Sequence, residues 1–159
     1  MVPSYVRIRI PQFIFRASED GYNLRNLYTA CERYQDSYYM CLILIKNVKG
    51  VVFGAFIDTI PQCLPHTEYQ GSHDTFVFTM SPKISCFKST GENDRFMLCE
   101  PGYMTIGANG DGPAIRFDDK LDTGRSYHSE TFDNELLTLE TEGAFKDTFK
   151  IDELEVFII

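Results

Sequence analysis

No two of the five cysteines, Cys31, Cys41, Cys63, Cys86 and Cys99, stand two to four residues apart. The odd number and the missing pair spacing argue against both a disulfide framework and a zinc ribbon. Cationic residues are also scarce: 15 Lys and Arg face 23 Asp and Glu, for a net charge of −8. A nucleic-acid binder needs a basic stripe to displace phosphate counterions, so that class is set aside, whereas a basic protein partner suits the charge. Long apolar runs are absent as well. The longest, Tyr38–Ile45, is far too short to span a bilayer, and no direct membrane insertion is expected. The opening MVPSYVRIRI carries two arginines and no extended apolar core, so no leader peptide is expected. These absences describe a reduced, cytoplasmic protein.

What is present is enough to fold. The 159 residues are 43% hydrophobic and 14% aromatic, which suits one domain with its own core, spanning 1–159. Val6–Ala17 alternates around Pro11 and predicts one or two short strands, followed by a turn at Ser18–Gly21. In YNLRNLYTACERY, Leu24, Leu27, Tyr28, Cys31 and Tyr34 recur at helical spacing behind Asn23 as N-cap. Tyr38–Lys46 predicts a central strand buried on both faces, with Cys41 as a small hydrophobe, and Val51–Ile57 completes a hairpin across Asn47–Gly50.

Ile60–Ser72 predicts a surface loop. Strands are expected at Asp74–Met80, Ile84–Phe87, Arg95–Cys99, Tyr103–Gly107, Ala114–Phe117 and the C-terminal FKIDELEVFII, with turns at Ser89–Asp94, Pro101-Gly102 and Asn109–Gly112. Short strands separated by Gly, Asn and Pro turns define a mainly β protein: an antiparallel two-sheet sandwich flanked by one or two short helices.

Several groups invite a chemical reading. Ser126, His128 and Glu130 alternate in DTGRSYHSETFDN. On an extended strand they form a row about 7 Å apart and do not converge, as a nucleophile and its base must. No G-x-S-x-G elbow accompanies them. Glu130, Thr131 and Asn134 are instead the residue types that tie down a tight loop by bonding backbone amides. The glycines from Gly107 to Gly112 run G-x-x-G-x-G and lead into proline and strand, which fits a hairpin with positive φ and not a dinucleotide fingerprint. Asp111, Asp118, Asp119 and Asp122 miss the spacing of a calcium loop and make an acidic surface patch. His66 and His73 have no cysteine at ligand spacing. Cys63, in a loop near His66, is the one thiol suited to peroxide chemistry. No cofactor and no metal are expected.

The order of the segments is similar to that of the TLDc domain, shared by the oxidation-resistance proteins and the TBC–TLDc proteins. The resemblance rests on DGYNLRNLY (Asp20–Tyr28), LILIKNVKGVVFGAFI (Leu42–Ile57), YQGSHDTFVFTM (Tyr69–Met80), MTIGANGDGPAIRFDDKLDTGRSYHSETFDN (Met104–Asn134) and FKIDELEVFII (Phe149–Ile159). It departs from the family pattern in lacking tryptophan altogether. Phe157 fills the last tryptophan slot, Lys88 or Ser89 lies near another, and Ser129 stands where a cysteine is usual. The helix expected before the first strand is missing or reduced to MVPSY.

The resemblance implies a sandwich fold and no established active site, with Gly107, Glu130, Thr131, Phe132 and Asn134 as structural motif residues. It also implies a cytosolic partner, the soluble sector of the vacuolar-type proton ATPase, and a link to oxidative-stress resistance at the cytosolic face of acidic organelles. Asp118, Asp119, Asp122 and Arg125, a charged run beside the ETF segment, are the candidate partner-binding residues. A structural subunit of a larger cytosolic assembly and a thiol-based antioxidant protein are the alternatives.

Overall fold

A computed structural model describes residues 9–35 and 38–159. The expectations for MVPSY and for the start of the Val6–Ala17 segment fall outside those residues. The first described strand, β1 (Gln12–Arg16), runs directly into a single helical turn, α1 (Ala17–Asp20), where the sequence predicts only a turn. Gly21, at φ +102°, ends that turn and donates its amide to the Ala17 carbonyl. The main helix, α2 (Leu24–Glu32), begins as expected. Asn23 is extended and its side chain accepts the Arg25 amide, satisfying one of the donors a helix start leaves open. Leu24, Leu27, Tyr28 and Cys31 form its buried stripe.

The strands β2 (Cys41–Asn47) and β3 (Val52–Ile57) make the expected hairpin. Asn47 is buried in the turn and its Oδ1 accepts the amides of Lys49 and Val51. There follow β4 (Tyr69–Gln70), β5 (Phe76–Ser81), β6 (Ser85–Lys88), β7 (Met97–Cys99), β8 (Tyr103–Ile106), β9 (Ile115–Asp118), β10 (Thr123–Arg125) and β11 (Thr148–Ile158). Two of these were not legible as strands. The first, β4, interrupts the predicted loop by pairing with β7. The second, β10, is recruited between β9 and β11. Both are too short to show a period, and only their neighbours make them strands.

All pairings are antiparallel, and the strand β11 joins two sheets. Its first residues, Thr148–Lys150, pair with β10 and lead out through β9, β8, β7 and β4. From Ile151 onward it pairs with β2, which continues through β3, β5 and β6, while β1 takes the other side of its last residues. A register shift between Ile151 and Glu153 lies where the two regimes meet, which is what a bulge does to a strand that must bend. The core fills the space between the sheets. Phe53, in the sheet built on β2, β3, β5 and β6 (the first sheet, the strands from β10 to β4 making the second), meets Phe149 edge-on at 5.0 Å, and Phe15, Ile43, Phe96 and Phe117 are fully or almost fully buried there.

The sandwich corrects one expectation for β2. Its burial alternates: Cys41, Ile43 and Ile45 face the main core, while Leu42 and Leu44 are half-buried on the opposite face. The continuous apolar run arises because that outer face carries its own apolar row. Leu42 pairs with Phe56, Phe56 pairs with Phe76, and the two rings stack at 5.1 Å. Phe157, in the tryptophan slot, extends the row by meeting Phe13 edge-on at 5.6 Å. No helix of the described residues is long and apolar enough to cross a membrane.

Two substitutions test this account by thermal denaturation followed by circular dichroism. Asn23→Ala removes the cap and is expected to cost about 1 kcal/mol, a fall in Tm of about 2–4 °C for a domain of this size. Gly54→Ala would place a methyl 1.9 Å from the Ile43 carbonyl oxygen. It is expected to destabilise more, by about 1–3 kcal/mol, because the neighbouring backbone must move.

Candidate interaction surface and the loop that braces it

The segment 126–134 is a knot of side chain to backbone bonds. Ser126 is fully buried; its amide reaches the Asp147 carbonyl and its Oγ accepts the Leu137 amide at 2.8 Å. Ser129 Oγ donates to Asn134 Oδ1 at 2.6 Å and accepts the Phe132 amide. Asn134 Nδ2 donates to the carbonyls of Tyr127 and Glu135. Thr131 Oγ1 accepts the Ala108 amide and donates to Asn93 Oδ1, both at 2.9 Å. Ser129, Thr131 and Asn134 are all fully buried, so each of these bonds satisfies a group that would otherwise be costly. Ser129 stands where the resemblance places a cysteine, and its hydroxyl is committed to this turn.

Glu130 faces outward from the knot. Its Oε2 accepts from Asn109 Nδ2 at 2.8 Å and Asn93 Nδ2 at 3.2 Å. These two amides, Asn109 foremost, hold its carboxyl below the usual glutamate range, with a smaller contribution from Arg95. Thr90 closes the ring by donating its Oγ1 to the Glu130 carbonyl and its amide to the Thr131 carbonyl. Gly107, at φ +80°, lies against this knot, and a Cβ there would come within 3.0 Å of the Phe132 ring. The close approach of ring and backbone requires glycine at that position.

The expected structural motif residues, Gly107, Glu130, Thr131, Phe132 and Asn134, are therefore brought together. Thr90, Asn93 and Asn109 belong with them. In the sequence they read only as turn residues, because what they bind is remote along the chain. Ser126, His128 and Glu130 do not converge: Ser126 serves Leu137, His128 Nε2 lies 2.7 Å from Asp133 Oδ1, and Glu130 serves the two asparagines.

The charged run beside the knot divides into two parts. Asp119 and Asp122 are exposed on the turn between β9 and β10, and their carbonyls accept the amides of Leu24 and Ile151. The turn is thus fastened to both α2 and β11, and Leu121, at φ +48° and fully buried, anchors its centre. Asp118 and Arg125 lie on the strands themselves and line one shallow cleft of about 300 Å³ with Arg116, Thr123, Gly124 and Thr148. Arg116 lies over the Tyr103 ring at 4.3 Å and its Nε is 3.8 Å from Asp118; Arg125 Nη1 is 3.3 Å from Asp147. The acidic patch expected from sequence is therefore half of a mixed surface. Strand pairing adds Arg116 and Asp147, which the sequence did not mark.

The remaining chemical candidates are dispersed. His66 pairs with Glu68, and His73 lies between Ser89 and Asp94, so each imidazole has its own local partner. Among the described residues no group of three or more His, Cys, Asp or Glu side chains is placed to hold a metal. All five cysteines are free thiols. Burial raises every one, Cys31 and Cys99 to about 12. Cys63, the candidate thiol of the antioxidant alternative, is raised by burial and by the nearby Glu100 carboxylate, while the neighbouring His66 is engaged with Glu68.

The fold and the knot together define a sandwich scaffold that presents a fastened, charged turn. The chain belongs to the TLDc domain family, whose model matches residues 1–159. It is 30% identical to nuclear receptor coactivator 7 of Mus musculus over 139 residues, covering 87% of this chain and 14% of that protein. It is 30% identical to oxidation resistance protein 1 of Homo sapiens over 144 residues, covering 91% of this chain and 15% of that protein. Oxidation resistance protein 1 of Podospora anserina is 23% identical, with 81% of this chain and 49% of that protein aligned. The chain thus spans about one seventh of the length of the two mammalian relatives.

The knot can be taken apart residue by residue. Ser126→Ala strands the buried Leu137 amide and is expected to cost about 1–3 kcal/mol. Phe132→Ala is expected to cost about 3–5 kcal/mol. Both are read from urea unfolding curves. Glu130 gives a pH signature. Its folded pKa is depressed, so its contribution is complete above the ordinary glutamate pKa of about 4.3 and is lost as pH falls through the lower folded value. Amide protection factors of 107–111 and 128–134, with exchange corrected for its intrinsic pH dependence, should fall on that acidification, and Glu130→Gln should flatten the response.

Proposed function

We propose that this chain is a non-enzymatic docking domain that binds the soluble sector of the vacuolar-type proton ATPase and regulates it. It works in the cytoplasm, at the cytosolic face of acidic organelles, and through that pump is linked to oxidative-stress resistance. The observation that carries this reading is the fate of the reactive side chains. The serine, histidine and carboxylate that could have made a catalytic set are each spent on bracing one loop, and burial raises all five thiols away from the nucleophilic form. Kinship with the oxidation-resistance proteins supports the link to stress resistance at the level of the family.

What the braced loop and its neighbouring turn supply is a stiff surface. Asp119 and Asp122 are exposed on a turn whose backbone is bonded to two other elements, so little conformational entropy is lost when a partner lands on it. An acidic surface of this kind is steered toward basic partners. A protein that binds one conformation of a rotary motor more tightly than another shifts the population toward it, and that differential affinity is the regulatory mechanism.

The reading is tested by recovering the tagged chain from lysate with and without ATP and quantifying what accompanies it. Enrichment of soluble-sector pump subunits, changed by nucleotide and weakened by the double charge reversal Asp119→Lys with Asp122→Lys, is the expected outcome. A different complex at one-to-one stoichiometry, with no pump subunits, would make the chain a structural subunit instead. Peroxide treatment of the folded protein should leave all five thiols available for alkylation after unfolding, as read by intact mass; rapid oxidation of Cys63 would restore the antioxidant alternative.

A further inference from the structure

Two arginines face each other across the second sheet. Arg116 and Arg125 are register partners on β9 and β10, and both line the same cleft. Like charges directly opposed across a strand pair are unfavourable, so the arrangement is unexpected for a surface with no role. Arg116 is ion-paired with Asp118 at 3.8 Å and stacked on Tyr103, and among the described residues its guanidinium makes no hydrogen bond. Arg125 uses Nη1 toward Asp147. Thr123 and Thr148 also line the cleft, and Thr148 Oγ1 lies 3.5 Å from Asp147 Oδ1. Lys150 stands opposite Thr123 on β11 and is exposed. Of the residues that line the cleft, two arginines face one carboxylate, Asp118, which leaves one unit of positive charge within a strongly acidic chain; Asp147 reaches Arg125 from outside that lining, and Lys150 lines a neighbouring cleft with Glu140.

We propose that the cleft between Arg116 and Arg125 is a carboxylate-binding site that receives an acidic side chain of a partner protein. Paired guanidinium groups present N–H donors in the plane a carboxylate requires. The single unit of net charge suits a monoanion, and the flanking Asp118 and Asp147 disfavour a dianion such as phosphate. Asp118 and Asp147 act as placeholders, holding the two side chains extended until an incoming carboxylate competes for them. The proposal rests on the docking reading only in taking a protein as partner. It adds to that reading a recognition element of the opposite sign, a few residues from the acidic turn, so the face would select a partner with alternating charge.

The test uses the whole chain and defined ligands at constant ionic strength. Nitrogen-15 resonances of the arginine side chains are followed by NMR during titration with a glutamate-rich peptide, with acetate and with inorganic phosphate. The expected result is a saturable shift at Arg116 and Arg125 with the peptide, and a weaker one with acetate. Arg116→Gln or Arg125→Gln should weaken peptide binding about threefold to fivefold, the scale of one exposed ion pair. Asp147→Asn should tighten it by a similar factor, because it removes a competitor without removing a donor; a purely structural role for the arginines would not produce that gain. Unsaturable shifts, or shifts unchanged by the arginine substitutions, would overturn the proposal. Tighter saturation by phosphate than by the peptide would overturn it in favour of a free-phosphate site. None of these outcomes depends on whether the pump is recovered from lysate.

Discussion

The two sheets share a strand, and the rest of the molecule follows from that sharing. Thr148–Lys150 belong to one ladder and Ile151–Ile158 to the other, so β11 must bend where the two meet. The bend lets the sheets face each other and encloses Phe53 against Phe149 at the point where they diverge. It also decides what lies beside what on the outside. Because the N-terminal end of β11 pairs with β10, the turn between β9 and β10 is carried to the start of α2, where the Asp119 carbonyl accepts the Leu24 amide. One covalent strand therefore couples the core, the helix position and the charged surface.

The knot at 126–134 solves a different problem. A stretch of irregular chain packed against the sandwich has backbone amides and carbonyls that neither a helix nor a ladder can satisfy. Ser126, Ser129, Thr131 and Asn134 meet that requirement from within and Thr90 from a neighbouring loop, while Asn93 and Asn109 fix the side chains of Thr131 and Glu130. Residue types familiar from active sites gather here because small polar side chains reach nearby backbone groups. Their full commitment to these bonds gives the loop stiffness.

Charge on the surface follows the same logic of placement. The chain is strongly acidic as a whole, yet the outer face of the second sheet sets two arginines opposite each other. Strand register, not composition, made that pairing. Local recognition by a family member of this kind is therefore better judged from the cross-strand neighbours of each charge than from its net charge.

Much of the fold was legible in the residues. The stripe from Leu24 to Cys31 behind Asn23, the hairpin around Asn47–Gly50 and the strand-rich tail each carry their own local signal, because period, cap and turn chemistry act within a few residues. Glu130, expected to bond backbone amides, binds the side chains of Asn93 and Asn109, whereas the loop-forming character of Thr131 and Asn134, which accept the amides of Ala108 and Ser129, was legible for the same reason. The two-residue strand β4 and the three-residue β10 were not, since a strand that short exists only through its partners. Nor were the outer apolar row on β2, the asparagines that hold Glu130, or the meeting of Arg116 with Arg125. Each depends on which segment lies next to which across the sheets. The sequence by itself determined the longer elements and the acidic balance; tertiary structure alone decided which charges and hydrogen-bond donors became neighbours, because register is set by the packing of whole sheets and not by any one stretch of chain.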